Sequence, residues 1–233
     1  MKKNKTEKKN KKLKLYSFLR FVGSPFIRLL FRVKVYGKER FPDDGAVLIC
    51  ANHLSIVDVM IMFCIMPRQI RFMAKAELFS VPLIGFVIKK LGAFPIDRAG
   101  KDVASVKKSL SILSDGEVIS VYPQGKRIRG VHPRATSTRS GPGMMVCRTK
   151  CTVLPVLFET KKWRIKLFRR VHVRIGEPIV HAEWNLGEER DITEYKRISD
   201  SIFDAICALA ETPYEGREPT LDESENLQSG ENI

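Results

Sequence analysis

The sequence predicts an α/β fold, a mixed, largely parallel sheet flanked by helices and preceded by an amphipathic two-helix motif. Three observations carry this. Runs such as "GAVLICA" and "CTVLPVLF" are apolar at nearly every position, as strands covered on both faces are. Segments such as residues 102–114 instead repeat their apolar residues at helical spacing. The two kinds alternate along 233 residues, a length that one core can fill.

Taken in order, "MKKNKTEKKNKKLK" (residues 1–14) is a polybasic tail, too charged to pack and expected to be disordered. Residues 15–34 hold two apolar stretches, one with Leu15, Phe18, Leu19 and Val22, the other with Phe26, Ile27, Leu30 and Phe31. Gly23, Ser24 and Pro25 separate them, which predicts two short amphipathic helices joined by a tight turn. The main domain is expected over residues 35–212. There "GAVLICA" reads as a buried strand, and Ser55 to Met66 as a helix stopped by Pro67. "IRFMAK" is a strand, Leu78 to Lys90 an apolar helix and "GAFPI" a short strand. Asp102 to Ser114 is a helix closed by "DG". "EVISVYP", "CTVLPVLF" and "RRVHVRIGEPI" complete the strands, and Ile192 to Glu211 forms a terminal helix. Residues 213–233 are acidic, polar and expected to be disordered.

The formal charge of +15 is unevenly placed. Residues 1–40 carry fourteen Lys/Arg against Glu7 and Glu39, whereas the segment from Glu211 carries seven acids against Arg217. A polybasic tail beside amphipathic helices predicts an anionic membrane surface as partner, because two weak anchors together hold where one does not. The alternative is a helix pair that covers a core. No stretch has the roughly 18 uncharged apolar residues of a membrane span. Arg20, Arg28 and Arg32 interrupt the only candidate, and no cleavage site follows, which argues against a signal peptide. The expected location is therefore peripheral, on the cytoplasmic face of the cell membrane. Nucleic acid is not expected, since the excess charge lies in a tail and no RNA- or DNA-binding signature accompanies it. The cysteines (Cys50, Cys64, Cys147, Cys151 and Cys207) are odd in number and mostly in apolar runs, which reads as reduced thiols. Cys147 and Cys151 lack the second pair that a zinc site needs.

Within "ANHLSIVD", Ser55 and Asp58 have the spacing of a helix-start capping box. His53 lies two residues before the cap, at the end of a buried strand. Chain reversal there can bring its ring beside Asp58, where a carboxylate would fix the imidazole tautomer as it does in catalytic triads. A structural histidine beside a capping aspartate is the competing reading. Other charges gather at strand ends: Lys75 after "IRFMAK", Arg98 after "GAFPI", and Gly125, Lys126 and Arg127 in "VYPQGKRIRG". Together they can form a phosphate clamp, with arginine for bidentate pairing, lysine as a point charge and glycine for close backbone approach.

These residues fall into four ordered blocks that resemble those of the 1-acylglycerol-3-phosphate acyltransferases. The first is NH-x4-D, here Asn52, His53 and Asp58, with the usual serine at Ser55. The second is G-x-x-F-x-x-R, here Gly92, Phe94 and Arg98. The third, usually F-P-E-G-T-R, is "YPQGKR" here, and the fourth is the V-x-P-V of Val153, Pro155 and Val156. The resemblance covers roughly residues 35–180. It departs at Gln124 and Lys126, which replace the usual glutamate and threonine, and in the segment that follows. The resemblance implies acyl transfer from a thioester, on acyl carrier protein or coenzyme A, to the free hydroxyl of lysophosphatidate. His53 would be the general base, oriented by Asp58, and Lys75, Arg98, Gly125, Lys126 and Arg127 would hold the acceptor phosphate. It implies no metal and no bound cofactor. Ser55 and Cys50 lie close to His53 but read as a cap and a core residue. The segment from Leu78 to Ile88 is a candidate wall for the acyl chain. Two other functions fit the sequence less well: acylation of another lysolipid, and a non-catalytic basic membrane-binding protein.

Overall fold

The computed structural model describes the backbone of residues 2–96, 103–184 and 191–214, with side chains from residue 15 onward. Among the described residues, seven strands form one sheet: β1 (Lys34–Tyr36), β2 (Val47–Ala51), β3 (Ile70–Lys75), β4 (Phe94–Ile96), β5 (Val118–Val121), β6 (Thr152–Thr160) and β7 (Val171–Ile175). Their order across the sheet is β1-β7-β6-β2-β5-β3-β4. Every neighbouring pair is parallel except β6 with β7. This is the mixed, largely parallel sheet that the sequence predicts. All five residues of β2 are buried, as are eight of nine in β6, in keeping with strands covered on both faces.

The helices are α1 (Lys2–Leu30), α2 (Ile56–Ile65), α3 (Pro82–Lys90), α4 (Val103–Ser114), α5 (Gly141–Thr149) and α6 (Ile192–Cys207). α4, α5 and α6 pack together on one face. The chain moves from β2 across to β3 through α2, and back from β4 to β5 through α4. Right-handed crossovers in opposite directions put α2 and α4 on opposite faces. α1 packs against α2.

Two expectations at the amino terminus are corrected. Residues 15–34 do not form two helices with a turn, because α1 runs unbroken through Pro25. Gly23 and Ser24 are small contact residues, not turn formers: a Cβ on Gly23 would meet Cys64 Sγ at 3.9 Å, and Ser24 Oγ lies 3.5 Å from the Cys64 carbonyl. Tyr16, Ile27 and Phe31 are buried on either side of the proline and hold the helix through it. The tail of residues 1–14, expected to be disordered, is helical from Lys2 onward. Lysine and glutamate are fair helix formers, and extending a packed helix needs no new nucleus.

Other differences are smaller. The helix expected from Leu78 is a 3-10 turn (Ala76–Phe79) followed by α3, with Pro82 at its first turn. The last helix stops at Cys207. α5 was not legible because "GPGMMVCRT" opens on residues that ordinarily mark loops. Pro142 occupies the first turn, where its missing N–H is harmless. Gly143 is required there, because any side chain would run into the Tyr195 carbonyl of α6. The segments 97–102, with Arg98, and 215–233, with most of the acidic tail, lie outside the described residues.

Candidate active site

β2, β5, β3 and β4 are consecutive parallel neighbours, so their carboxyl ends lie along one edge of the sheet. That edge is where α/β folds usually hold ligands. Asn52 follows β2 and continues its pairing with β6 by side chain: its amide donates to the Phe158 carbonyl (3.0 Å) and accepts from the Phe158 N–H (2.7 Å). The chain then turns at His53 and enters α2. Ser55 caps the helix, its hydroxyl accepting from the Val57 N–H at 3.3 Å. Asp58 Oδ2 accepts from the backbone N–H groups of Leu54 (2.6 Å) and Ser55 (2.9 Å), and stands 2.8 Å from His53 Nδ1. The capping and histidine-orienting readings of Asp58 therefore hold together on one oxygen. Asp58 is fully buried and His53 only 7% exposed. A carboxylate is an acceptor only, so Nδ1 carries the proton in the neutral ring and the lone pair lies on Nε2.

The third block packs against this pair. The Tyr122 ring stacks on His53, with centroids 3.9 Å apart and planes 18° from parallel. Burial holds the Tyr122 phenol well above its ordinary pKa, with the Asp58 charge adding to the effect. Gln124 Oε1 accepts from the His53 N–H at 2.7 Å, and its amide donates to Thr136 Oγ1 at 2.8 Å. The Ile128 N–H donates to the His53 carbonyl at 2.8 Å. Gly125 closes the turn, its N–H donating to the Tyr122 carbonyl at 2.9 Å, with a φ of 73° that favours glycine. A Cβ there would press on Arg139 Cγ at 3.1 Å. Lys126 is partly buried, and burial together with Arg139 pushes its ammonium below the ordinary lysine range. Two cations gathered at one place repel until an anion lies between them.

Of the residues singled out from sequence, His53 and Asp58 are in direct contact, and Gly125 and Lys126 lie in the loop that packs on them. Arg127 is exposed in the same loop, and Lys75 is exposed at the end of β3 on the same sheet edge. Arg98 falls outside the described residues. Leu83, Ile84, Phe86 and Val87 of the expected acyl-chain wall are exposed. Cys50 is fully buried, which raises its thiol well above the ordinary value, with Cys151 adding to the shift. It is a core residue, and Ser55 is a cap. Sequence reasoning missed the Tyr122 stack and the Thr136 partner of Gln124. Tyr122 carried a signal, an aromatic at the strand end beside the third block. Thr136 carried none, since it lies in the stretch that departs from the family pattern.

Fold and site together define the class: an α/β enzyme with a histidine–aspartate pair at the carboxyl edge of its sheet. The acyltransferase family model matches residues 32–159. The 1-acyl-sn-glycerol-3-phosphate acyltransferase of Bacillus subtilis (strain 168) is 31% identical over 173 residues, covering 73% of this chain and 85% of that protein. The enzyme of the same name from Streptococcus pneumoniae (strain ATCC BAA-255 / R6) is 25% identical over 175 residues, covering 74% of this chain and 60% of that protein. The crystal structure of the 1-acyl-sn-glycerophosphate acyltransferase PlsC from Thermotoga maritima superposes with a TM-score of 0.66 at 19% identity, over 90% of this chain and 85% of that one. This last likeness concerns the fold. The chain belongs to the acyltransferase family, and the resemblance to the 1-acylglycerol-3-phosphate acyltransferases read from its four blocks is borne out.

Proposed function

We propose that the protein transfers a fatty acyl group from a thioester, carried on acyl carrier protein or coenzyme A, to the free hydroxyl of lysophosphatidate, giving phosphatidate. His53 Nε2 takes the hydroxyl proton as the oxygen attacks the thioester carbonyl. The carbon–sulfur bond then breaks, and the leaving thiolate receives the proton back from the imidazolium. Proton transfer of this kind contributes about 10²–10⁴-fold. Asp58 orients the ring and balances the charge it gains. Lys75, Arg98, Gly125, Lys126 and Arg127 hold the acceptor phosphate, so that its hydroxyl meets His53. The observation that carries this reading is the 2.8 Å His53–Asp58 contact at the carboxyl edge, made by the first of the four ordered blocks. The names of the curated relatives support lysophosphatidate as acceptor. The cations Lys126 and Arg139 support an anionic one.

The reaction is proposed to run on the cytoplasmic face of the cell membrane, with the protein attached peripherally. No helix among the described residues is long and apolar enough to cross a bilayer. Phe18, Phe21, Phe26 and Leu29 of α1 are exposed, as are Leu83 and Phe86 of α3, and α1 and α3 touch. Both acceptor and acyl chain are lipids, and such a surface would receive them without carrying long chains through water.

The test is acyl transfer in mixed micelles, with lysophosphatidate and labelled acyl carrier protein or coenzyme A thioesters, comparing wild type with His53→Ala. Phosphatidate formed by wild type and lost in the variant is the expected result. Activity that survives His53→Ala rejects the general base. Product only with other lysolipids, insensitive to Arg127→Gln, rejects the phosphate-bearing acceptor.

A further inference from the structure

At the carboxyl end of β6, on the same edge of the sheet as His53, a cavity of about 740 Å³ opens between β6, β7 and the end of α1. None of its lining residues belongs to the four blocks. The third-block loop lies between the cavity wall and the histidine, with the Ile128 N–H on the His53 carbonyl and the Gly130 N–H on the Trp163 carbonyl (2.9 Å). Six cations line the cavity: Arg32, Lys161, Lys162, Arg169, Arg170 and Arg174. Arg174 is engaged, with Glu159 at 2.9 Å and Glu211 at 2.6 Å, and lies 4.6 Å over the Tyr36 ring. The other five have no acidic partner among the described residues.

Strain is concentrated here. Five non-glycine residues among those described have a positive φ, and four of them, Arg32, Lys162, Trp163 and Phe168, line this cavity. Side chains other than glycine rarely adopt that backbone, and where they do, the surrounding structure must hold them. The rim is apolar. Leu167 and Phe168 are exposed, and their segment is tied to α1 by the Phe168 N–H on the Leu30 carbonyl (2.6 Å) and the Val171 N–H on the Phe31 carbonyl (3.2 Å). The rim thus lies beside the end of α1, where Phe26 and Leu29 are also exposed.

We propose that this cavity binds the phosphate headgroup of an anionic phospholipid in the bilayer, at a site separate from the catalytic one. Unpaired cations beneath an apolar rim match the layering of a lipid interface, with apolar side chains among the acyl chains and cations at phosphate depth. A free anion would need the cations but not the rim. The inference rests on the reading that the protein works at a membrane surface, and neutral vesicles test that reading alone.

The experiment measures binding of the full chain to vesicles of phosphatidylcholine, with and without phosphatidylglycerol, for wild type, R169Q/R170Q and K107Q/K108Q. Arg169 and Arg170 are exposed, so the variant should fold; K161Q/K162Q is a second probe of the same cavity. Lys107 and Lys108 are exposed on α4 and remove the same charge elsewhere. A basic residue near an anionic surface is worth about five-fold in affinity, so both cavity variants should lose about thirty-fold on anionic vesicles. They should bind neutral vesicles as wild type does, and K107Q/K108Q should bind both normally. Equal losses in the cavity and control variants mean general charge attraction and overturn the site. Neutral binding without an anionic gain overturns the site and leaves the membrane reading standing, whereas no vesicle binding at all overturns both. One further outcome also overturns it: thermal stabilisation by inorganic phosphate that R169Q/R170Q abolishes, with no change in vesicle binding.

Discussion

Gln124 is 2% exposed and joins a hydrogen-bonded line: the His53 N–H donates to its oxygen, its amide donates to Thr136 Oγ1, and the Thr136 hydroxyl donates to the Pro133 carbonyl at 2.6 Å. The line needs an amide at its centre, because the one Thr136 proton is already engaged. A glutamate accepts at both oxygens, so Gln124→Glu would set a buried carboxylate against Thr136 Oγ1 or pull that proton off Pro133. The expected outcome is a loss of about 1–3 kcal/mol in denaturant unfolding at neutral pH. The acceptor for the His53 N–H survives, so kcat should fall far less than the roughly 10²–10⁴-fold that removing a general base brings. A kcat loss in that larger range would make residue 124 part of the chemistry rather than of the scaffold. At this scale the site was partly legible in the sequence. His53 and Asp58 are five residues apart on a strand–helix turn, and local chain geometry brings them together. Thr136 meets Gln124 through a loop whose path no local pattern specifies.

α1 illustrates what element-level reading misses. Gly, Ser and Pro in succession punctuate most chains, yet here two of the three residues are small because α2 lies against them. Tyr16 packs edge-on to Phe63 with centroids 4.7 Å apart, and its hydroxyl accepts from the Ile70 N–H at 3.3 Å. Burial raises that phenol to about 12, so it stays neutral. Arg20 donates to the Met66 and Pro67 carbonyls at 2.6 and 2.7 Å, where the end of α2 attracts a cation. Pro25 is then an internal proline held in a helix by tertiary contacts. In a helix interior it costs roughly 3 kcal/mol, whereas in a turn it is favourable. Pro25→Ala should therefore slow amide exchange across residues 20–29 and raise the stability of α1, by up to about 3 kcal/mol. Faster exchange there would restore the two-helix reading. Strands were read more reliably than this helix, since β2 and β6 are apolar almost throughout and leave little ambiguity about burial. α5 was missed because its packing on α6 selects glycine, which suppresses the helical pattern.

For the whole molecule, the exposed apolar surface matters most. α1 carries one stripe that is buried on α2 and a second (Phe18, Phe21, Val22, Phe26 and Leu29) that is exposed. Gly85 is the buried residue of α3, while Leu83, Ile84, Phe86 and Val87 face outward. Sequence periodicity shows that a helix has an apolar side but not which apolar side finds the core, so the segment from Leu78 read only as an apolar helix and a candidate wall for the acyl chain. The side chains that would stabilise a soluble core thus stabilise the folded state little, and their exposure has to be offset elsewhere. If a bilayer covers them, each adds up to about 1.5–3 kcal/mol to attachment. L83S/F86S should therefore weaken binding to neutral phosphatidylcholine vesicles by about ten- to a hundred-fold, since interfacial insertion buries each side chain only in part. Folding stability should change by less than about 0.5 kcal/mol, because the folded protein alone gains little from side chains this exposed. Acyl transfer to acceptor in detergent micelles should persist, while transfer to acceptor embedded in vesicles should fall with the binding. Unchanged vesicle binding would remove α3 from the membrane-facing surface. A large loss of folding stability would show instead that these side chains belong to the core.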